Sequence, residues 1–162
     1  MCYNTITYVK AYFACRKYLF VKKNKIKILI VKDPSDYRAE LIRLLKNSVH
    51  FDVLPPLHDP RLVVATVKEN NPDIVLLNAT MAGSDGIAIL SAIRNCPETR
   101  DTRVAVMTPI QDEGLINICQ ALGAVFTMHS SNPPAIVFHR ILNLTMGDEA
   151  DRNTRKDQRK AK

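Results

Sequence analysis

From residue 26 onward the chain alternates between two hydrophobic rhythms. Short runs of β-branched and aliphatic residues occur at 26–31 (IKILIV), 51–54 (FDVL, closed by Pro55 and Pro56), 73–77 (DIVLL), 103–107 (RVAVM) and 124–128 (AVFTM). Such runs predict strands, most of them buried on both faces. Between them the apolar positions recur at helical spacing. Pro34, Ser35 and Asp36 give a stop and a capping signal before Tyr37, Leu41, Leu44 and Leu45, and further helices are predicted from Pro60 to Glu69 and over IAILSAIR, LINICQAL and AIVFHRIL. Five strands alternating with five helices predict an α/β fold, a five-stranded parallel sheet with helices on both faces, because parallel crossovers require helices.

In a sheet of this kind functional groups gather beyond the carboxyl ends of the strands. That singles out Lys32 and Asp33, Asn78, Thr108 and the group at 129–131. No glycine-rich loop follows any strand, which argues against a dinucleotide or P-loop site.

Composition changes this picture only at the ends. The 162 residues carry 23 Lys plus Arg against 16 Asp plus Glu, a net charge of +7. Residues 1–27 hold seven basic groups and no acidic one, residues 147–162 hold six against four, and the middle holds ten against twelve. The chain therefore divides into a basic N-terminal extension (1–25), a slightly acidic domain (26–145) and a charged tail (146–162) with the apolar-poor composition of a disordered segment. With 46% apolar residues the chain can bury a core. Cys2, Cys15, Cys96 and Cys119 lack metal-ligand or disulfide spacing, and His50, His58, His129 and His139 are scattered, so neither a metal site nor a histidine-based catalytic pair is expected. No apolar run is long enough to span a bilayer, and a cytoplasmic location is expected.

Read together, these positions resemble the receiver domain of bacterial two-component response regulators, over about residues 27–144. ILIVKDPSDYRAELIRLL looks like that family's first strand, acidic loop and first helix. NNPDIVLLNATMAGSDGIAILSAIR is similar to its third strand, phosphorylation loop and third helix, TRDTRVAVMTP to its fourth strand, and QALGAVFTM to the approach to its fifth. The resemblance implies a flavodoxin-like three-layer sandwich. It also implies chemistry that the residues only partly match. The family's phosphoryl-accepting aspartate corresponds to Asn78, and a neutral amide cannot act as the carboxylate nucleophile. Its magnesium-binding acidic pair corresponds to Lys32 and Asp33, so magnesium binding is expected to be weak or absent and no other cofactor is implied. Its fifth-strand lysine falls on Ser130 in an ungapped alignment and on His129 if one residue is deleted. The ungapped alignment is preferred because the last helix then also lines up. Thr108, Gly83, Asp85 and Gly86 match the family.

The family signals through its fourth helix, fifth strand and fifth helix. Here Ile116, Thr127, Ile136 and Phe138 are the candidate partner-binding residues. If Val137, Ile141 and Leu144 form the buried stripe of the last helix, Ile136 and part of Phe138 lie outside it. The expectation is a degenerate receiver, a pseudo-receiver, without catalysis of its own, acting through a protein partner or self-association. Two alternatives stand beside it. One is a receiver phosphorylated at another residue such as Asp33. The other is an accessory that binds nucleic acid or a membrane through the basic termini.

Overall fold

A computed structural model describes residues 25–31, 39–81 and 84–144, apart from the side chains of Met81 and Ser84. The two terminal segments, together with Lys32, Asp33 and Tyr37, lie outside the described residues. In chain order the main elements are β1 (Ile26–Val31), α1 (Ala39–Asn47), β2 (Phe51–Val53), α2 (Val63–Asn70), β3 (Ile74–Asn78), α3 (Gly86–Asn95), β4 (Arg103–Thr108), α4 (Glu113–Ala121) and β5 (Phe126–His129). A last helix, α5, occupies 134–144. The five strands form one parallel sheet in the order β2-β1-β3-β4-β5. This is the flavodoxin-like order, with helices on both faces.

The alternation along each strand decides which helix covers which face. Leu29, Val31, Val75, Leu77, Val104 and Val106 point to one side, where Val63 and Val67 of α2, Ile89, Leu90 and Ile93 of α3 and Cys119 of α4 complete a core. Ile28, Ile30, Ile74, Leu76, Ala105 and Met107 point to the other, against Leu41 and Leu45 of α1 and Val137 and Ile141 of α5. The apolar stretches of the central strands are thus removed from water on both faces, which is why their sequences are continuous apolar runs instead of alternating ones.

Helix ends follow local chemistry. The Asp85 and Asp112 carboxylates accept hydrogen bonds from Ile87 N (2.9 Å) and Leu115 N (2.8 Å), capping α3 and α4. Asn71 closes α2 in the left-handed region (φ 46°), a role asparagine tolerates. Gly123 (φ 82°) does the same after α4. The stretch predicted as one helix from Pro60 begins as a single 3-10 turn (Pro60–Leu62), capped by the Asp59 side chain, before α2 starts at Val63. The pattern also gave no sign of the two-residue antiparallel ribbon, Thr80–Met81 with Ser84–Asp85, between β3 and α3.

Two contacts hold distant segments together. Gly86 N donates to Ala79 O (2.9 Å), and a Cβ added to Gly86 would stand 2.2 Å from the Asn78 carbonyl oxygen. The loop can fold back on β3 only because this residue has no side chain. Arg94, at the end of α3, donates to the carbonyls of Arg100 (2.9 Å), Thr102 (2.7 Å) and Gly123 (2.7 Å). Desolvation lowers the pKa of its guanidinium from the ordinary value, and the nearby Asp101 charge opposes that.

The obstruction at Gly86 is backbone, so it cannot swing aside. Gly86→Ala is expected to destabilise the domain by ~3 kcal/mol, measured by urea unfolding followed by circular dichroism; an unchanged midpoint would count against the close packing. The thiols supply a second check. Cys119 is fully buried, and burial pushes its pKa up, whereas Cys96 is half-buried. Peptide mapping after brief iodoacetamide treatment of the native protein should find Cys96 modified about tenfold faster than Cys119, or more. Equal rates would mean that Cys119 is not in the core.

Candidate functional site at the carboxyl edge of the sheet

Parallel pairing brings the ends of β3, β4 and β5 to one edge. Val31 pairs with Leu77, Asn78 with Met107, and Thr108 with His129. Asn78 is the last residue of β3 and is half-buried. Its carboxamide Oδ1 is buried and finds no hydrogen-bond partner among the described residues. A buried acceptor of this kind carries a desolvation cost that nothing described offsets. The main chain beside it is well tied: Ala79 N donates to Met107 O at 2.7 Å.

Thr108 ends β4 and is fully enclosed. Its hydroxyl serves the following loop, accepting from Ile110 N (3.1 Å) and donating to Ile110 O (3.2 Å). A hydroxyl so engaged caps the strand end locally.

At the end of β5 the register places His129, and not Ser130, opposite Thr108. Ser130 is the next residue along, and its backbone N–H donates to Thr108 O (2.7 Å). Ser130, the residue that the ungapped alignment sets at the family's lysine position, therefore stands immediately beyond the strand end, and His129 is its last residue. The strand itself runs to His129, one position beyond the apolar run that announced it. The His129 ring bridges two loops. Nε2 lies 2.8 Å from Pro109 O, while Nδ1 faces the Ser131 hydroxyl and accepts from Ser131 N (3.2 Å).

The residues proposed for partner binding separate by exposure. Ile136, on α5, is 51% exposed. Ile116 and Thr127 are half-buried, and the Thr127 hydroxyl oxygen lies out of contact with solvent. Phe138 is also half-buried, packed on the α1/α5 core with its ring edge-on to Phe51 at 5.7 Å. It turns inward because β2 presents an aromatic partner across the layer, which no spacing within α5 could reveal. Exposed apolar side chains that sequence did not single out include Ile110, after β4, and Ile118, on α4, at 51% and 49%, with Val49, Leu62 and Val125 exposed elsewhere on the described surface. Ile118 flanks the face of α4 from which Leu115, Cys119 and Leu122 pack on the core, at the edge of the apolar stripe.

Among the described residues no group of three or more His, Cys, Asp or Glu side chains is arranged to hold a metal ion, and no helix is long and apolar enough to cross a membrane.

The comparisons with known proteins agree with this architecture. A protein-glutamate methylesterase/protein-glutamine glutaminase from Geobacter metallireducens is 35% identical over 69 residues, covering 43% of this chain and 19% of that protein. Its counterpart from Xanthomonas oryzae pv. oryzae is 30% identical over 102 residues, 62% of this chain and 28% of that protein. The chain thus spans less than a third of the length of these relatives. Among solved structures, the signal receiver domain of the response regulator NarL from Mycobacterium tuberculosis superposes with a TM-score of 0.69 at 22% identity, over 77% of this chain and 99% of that one. The CheX-CheY-BeF3-Mg complex from Borrelia burgdorferi gives 0.64 at 27% identity, over 74% and 89%. The model of the response regulator receiver domain matches residues 28–129, and the chain belongs to that family of signalling domains.

Proposed function

We propose that this receiver signals without phosphoryl transfer, as a cytoplasmic pseudo-receiver that works through protein contact and catalyses nothing itself. The observation that carries the reading is the amide at the end of β3. Asn78 offers a neutral oxygen where acyl-phosphate chemistry needs a carboxylate. It is also a poor donor for a hard divalent cation, which favours anionic oxygens. Lys32, an ammonium in the family's acidic pair, follows directly on Val31 in sequence. The donor set Lys32, Asp33 and Asn78 does not fit magnesium. Thr108 supports the same reading, since its hydroxyl is occupied by Ile110.

The contact surface is assigned to the elements around β5, where Ile110, Ile118 and Ile136 are exposed. Isoleucines left in water on neighbouring elements suit a protein partner or a second copy. The methylesterase activity in the relatives' names belongs to proteins more than three times as long as the matched segment.

Three measurements test this. Calorimetric titration with Mg²⁺ should give no saturable binding in the sub-millimolar range for the natural sequence, whereas the double variant Lys32→Asp, Asn78→Asp should gain it. Sub-millimolar binding by the natural sequence would refute the reading. Incubation with acetyl phosphate followed by intact-mass measurement checks the alternative of a phosphorylated Asp33, with an 80 Da adduct, the mass of one phosphoryl group, as the result against us. For the surface, Ile136→Glu is expected to weaken capture of the partner from host extract, or self-association in sedimentation, about tenfold or more, equivalent to ~1.4 kcal/mol. The melting temperature should not change. Undiminished association would remove Ile136 from the interface.

A further inference from the structure

The hydrogen bonds around His129 fix its proton. Pro109 O can only accept, so the Nε2 atom 2.8 Å away must carry hydrogen. Ser131 N can only donate, so Nδ1, 3.2 Å away, must be bare. When the ring is neutral, these two partners select the tautomer with hydrogen on Nε2. In that form it ties the β4–α4 loop at Pro109 to the turn between β5 and α5 at Ser131.

We propose that His129 is a proton-operated latch between these two loops. Taking up a proton at Nδ1 turns an acceptor into a donor. The Ser131 hydroxyl can rotate to accept from it, but the Ser131 backbone N–H cannot, and two donors then face each other. The turn must open about Ser131 to separate them. Two neighbouring bonds direct where the change is felt. Asn132 Nδ2 donates to His129 O (2.9 Å), and Ile136 N to Pro133 O (2.9 Å), so the turn leads straight into the first residues of α5. On the other side the Nε2–H still donates to Pro109 O and Ile110 remains bound to Thr108, so the β4–α4 loop stays in place while the Ser131 contact is lost.

The charged groups on the surrounding elements leave the ring to this local control. On α4, Asp112 is engaged in capping Leu115 N and Glu113 follows it in the first turn. Asp85, at the start of α3, caps Ile87 N. On α5, Arg140 lies over the Phe126 ring at 5.6 Å and His139 stacks edge-on with Phe138. None of them forms an ion pair with His129 among the described residues.

The test is an NMR titration of the full chain from about pH 8 to pH 5, the interval in which histidine changes charge. At the alkaline end the ring ¹⁵N shifts should report a protonated Nε2 and a bare Nδ1. The Ser131 amide resonance should then move with the same midpoint as the His129 ring, and Asn132 and Ile136 should follow. Both signals are read apart from those of His139, the other histidine near α5. In His129→Phe the Ser131 amide should sit at the acid limit of the natural protein and lose its pH dependence. If that variant does not fold, the titration of the natural protein decides alone. A ring protonated on Nδ1 at alkaline pH, or a Ser131 amide indifferent to the ring's titration, would overturn the latch.

Discussion

Parallel pairing is the constraint on which the rest of the molecule depends. β1 and β3 each bury four consecutive side chains and β4 five, spread over both faces, and parallel strands of this kind cannot be joined by tight turns. Every connection must cross over, and every crossover must be apolar on the side that meets the sheet. One consequence is two separate cores, with α1 and α5 over one face and α2, α3 and α4 over the other. The second consequence is functional: all five strands end at the same edge, so residues far apart in sequence become neighbours there.

That edge is largely bound to itself. Thr108 serves Ile110, His129 serves Pro109 and Ser131, and Asp85 and Asp112 serve the first turns of α3 and α4. Among the described residues each of these side chains satisfies a main-chain group of an adjoining loop, an arrangement that lowers the cost of burial. The Asn78 oxygen stands apart, as a buried acceptor without a described donor.

The fold could be read from sequence because its signals are local and repeated. Leu29 to Val31, Val75 to Leu77 and Val104 to Met107 need both faces covered wherever they sit, and the helices between them carry single apolar stripes. Features set by contact across layers were not legible in this way. The inward turn of Phe138 depends on Phe51, eighty-seven positions earlier in the chain. The last residue of β5 depends on the register with Thr108, which no count along the chain supplies. At the site, the identities of Asn78 and Thr108 stood out in the sequence. What their polar atoms face did not, since hydrogen-bond direction is a property of loops, which carry no periodicity.

Arg94 gives the domain a further property. One guanidinium receives carbonyls from the loop that enters β4 and from the turn that enters β5, reaching 29 residues along the chain to Gly123. Neither segment can open by itself without stripping a desolvated cation of part of its coordination. Fluctuations that would otherwise be independent at the two strand entrances are thereby joined into one cooperative unit of local unfolding. The entrances to β4 and β5 are thus coupled through one side chain, at the end of the sheet opposite to Asn78 and Thr108.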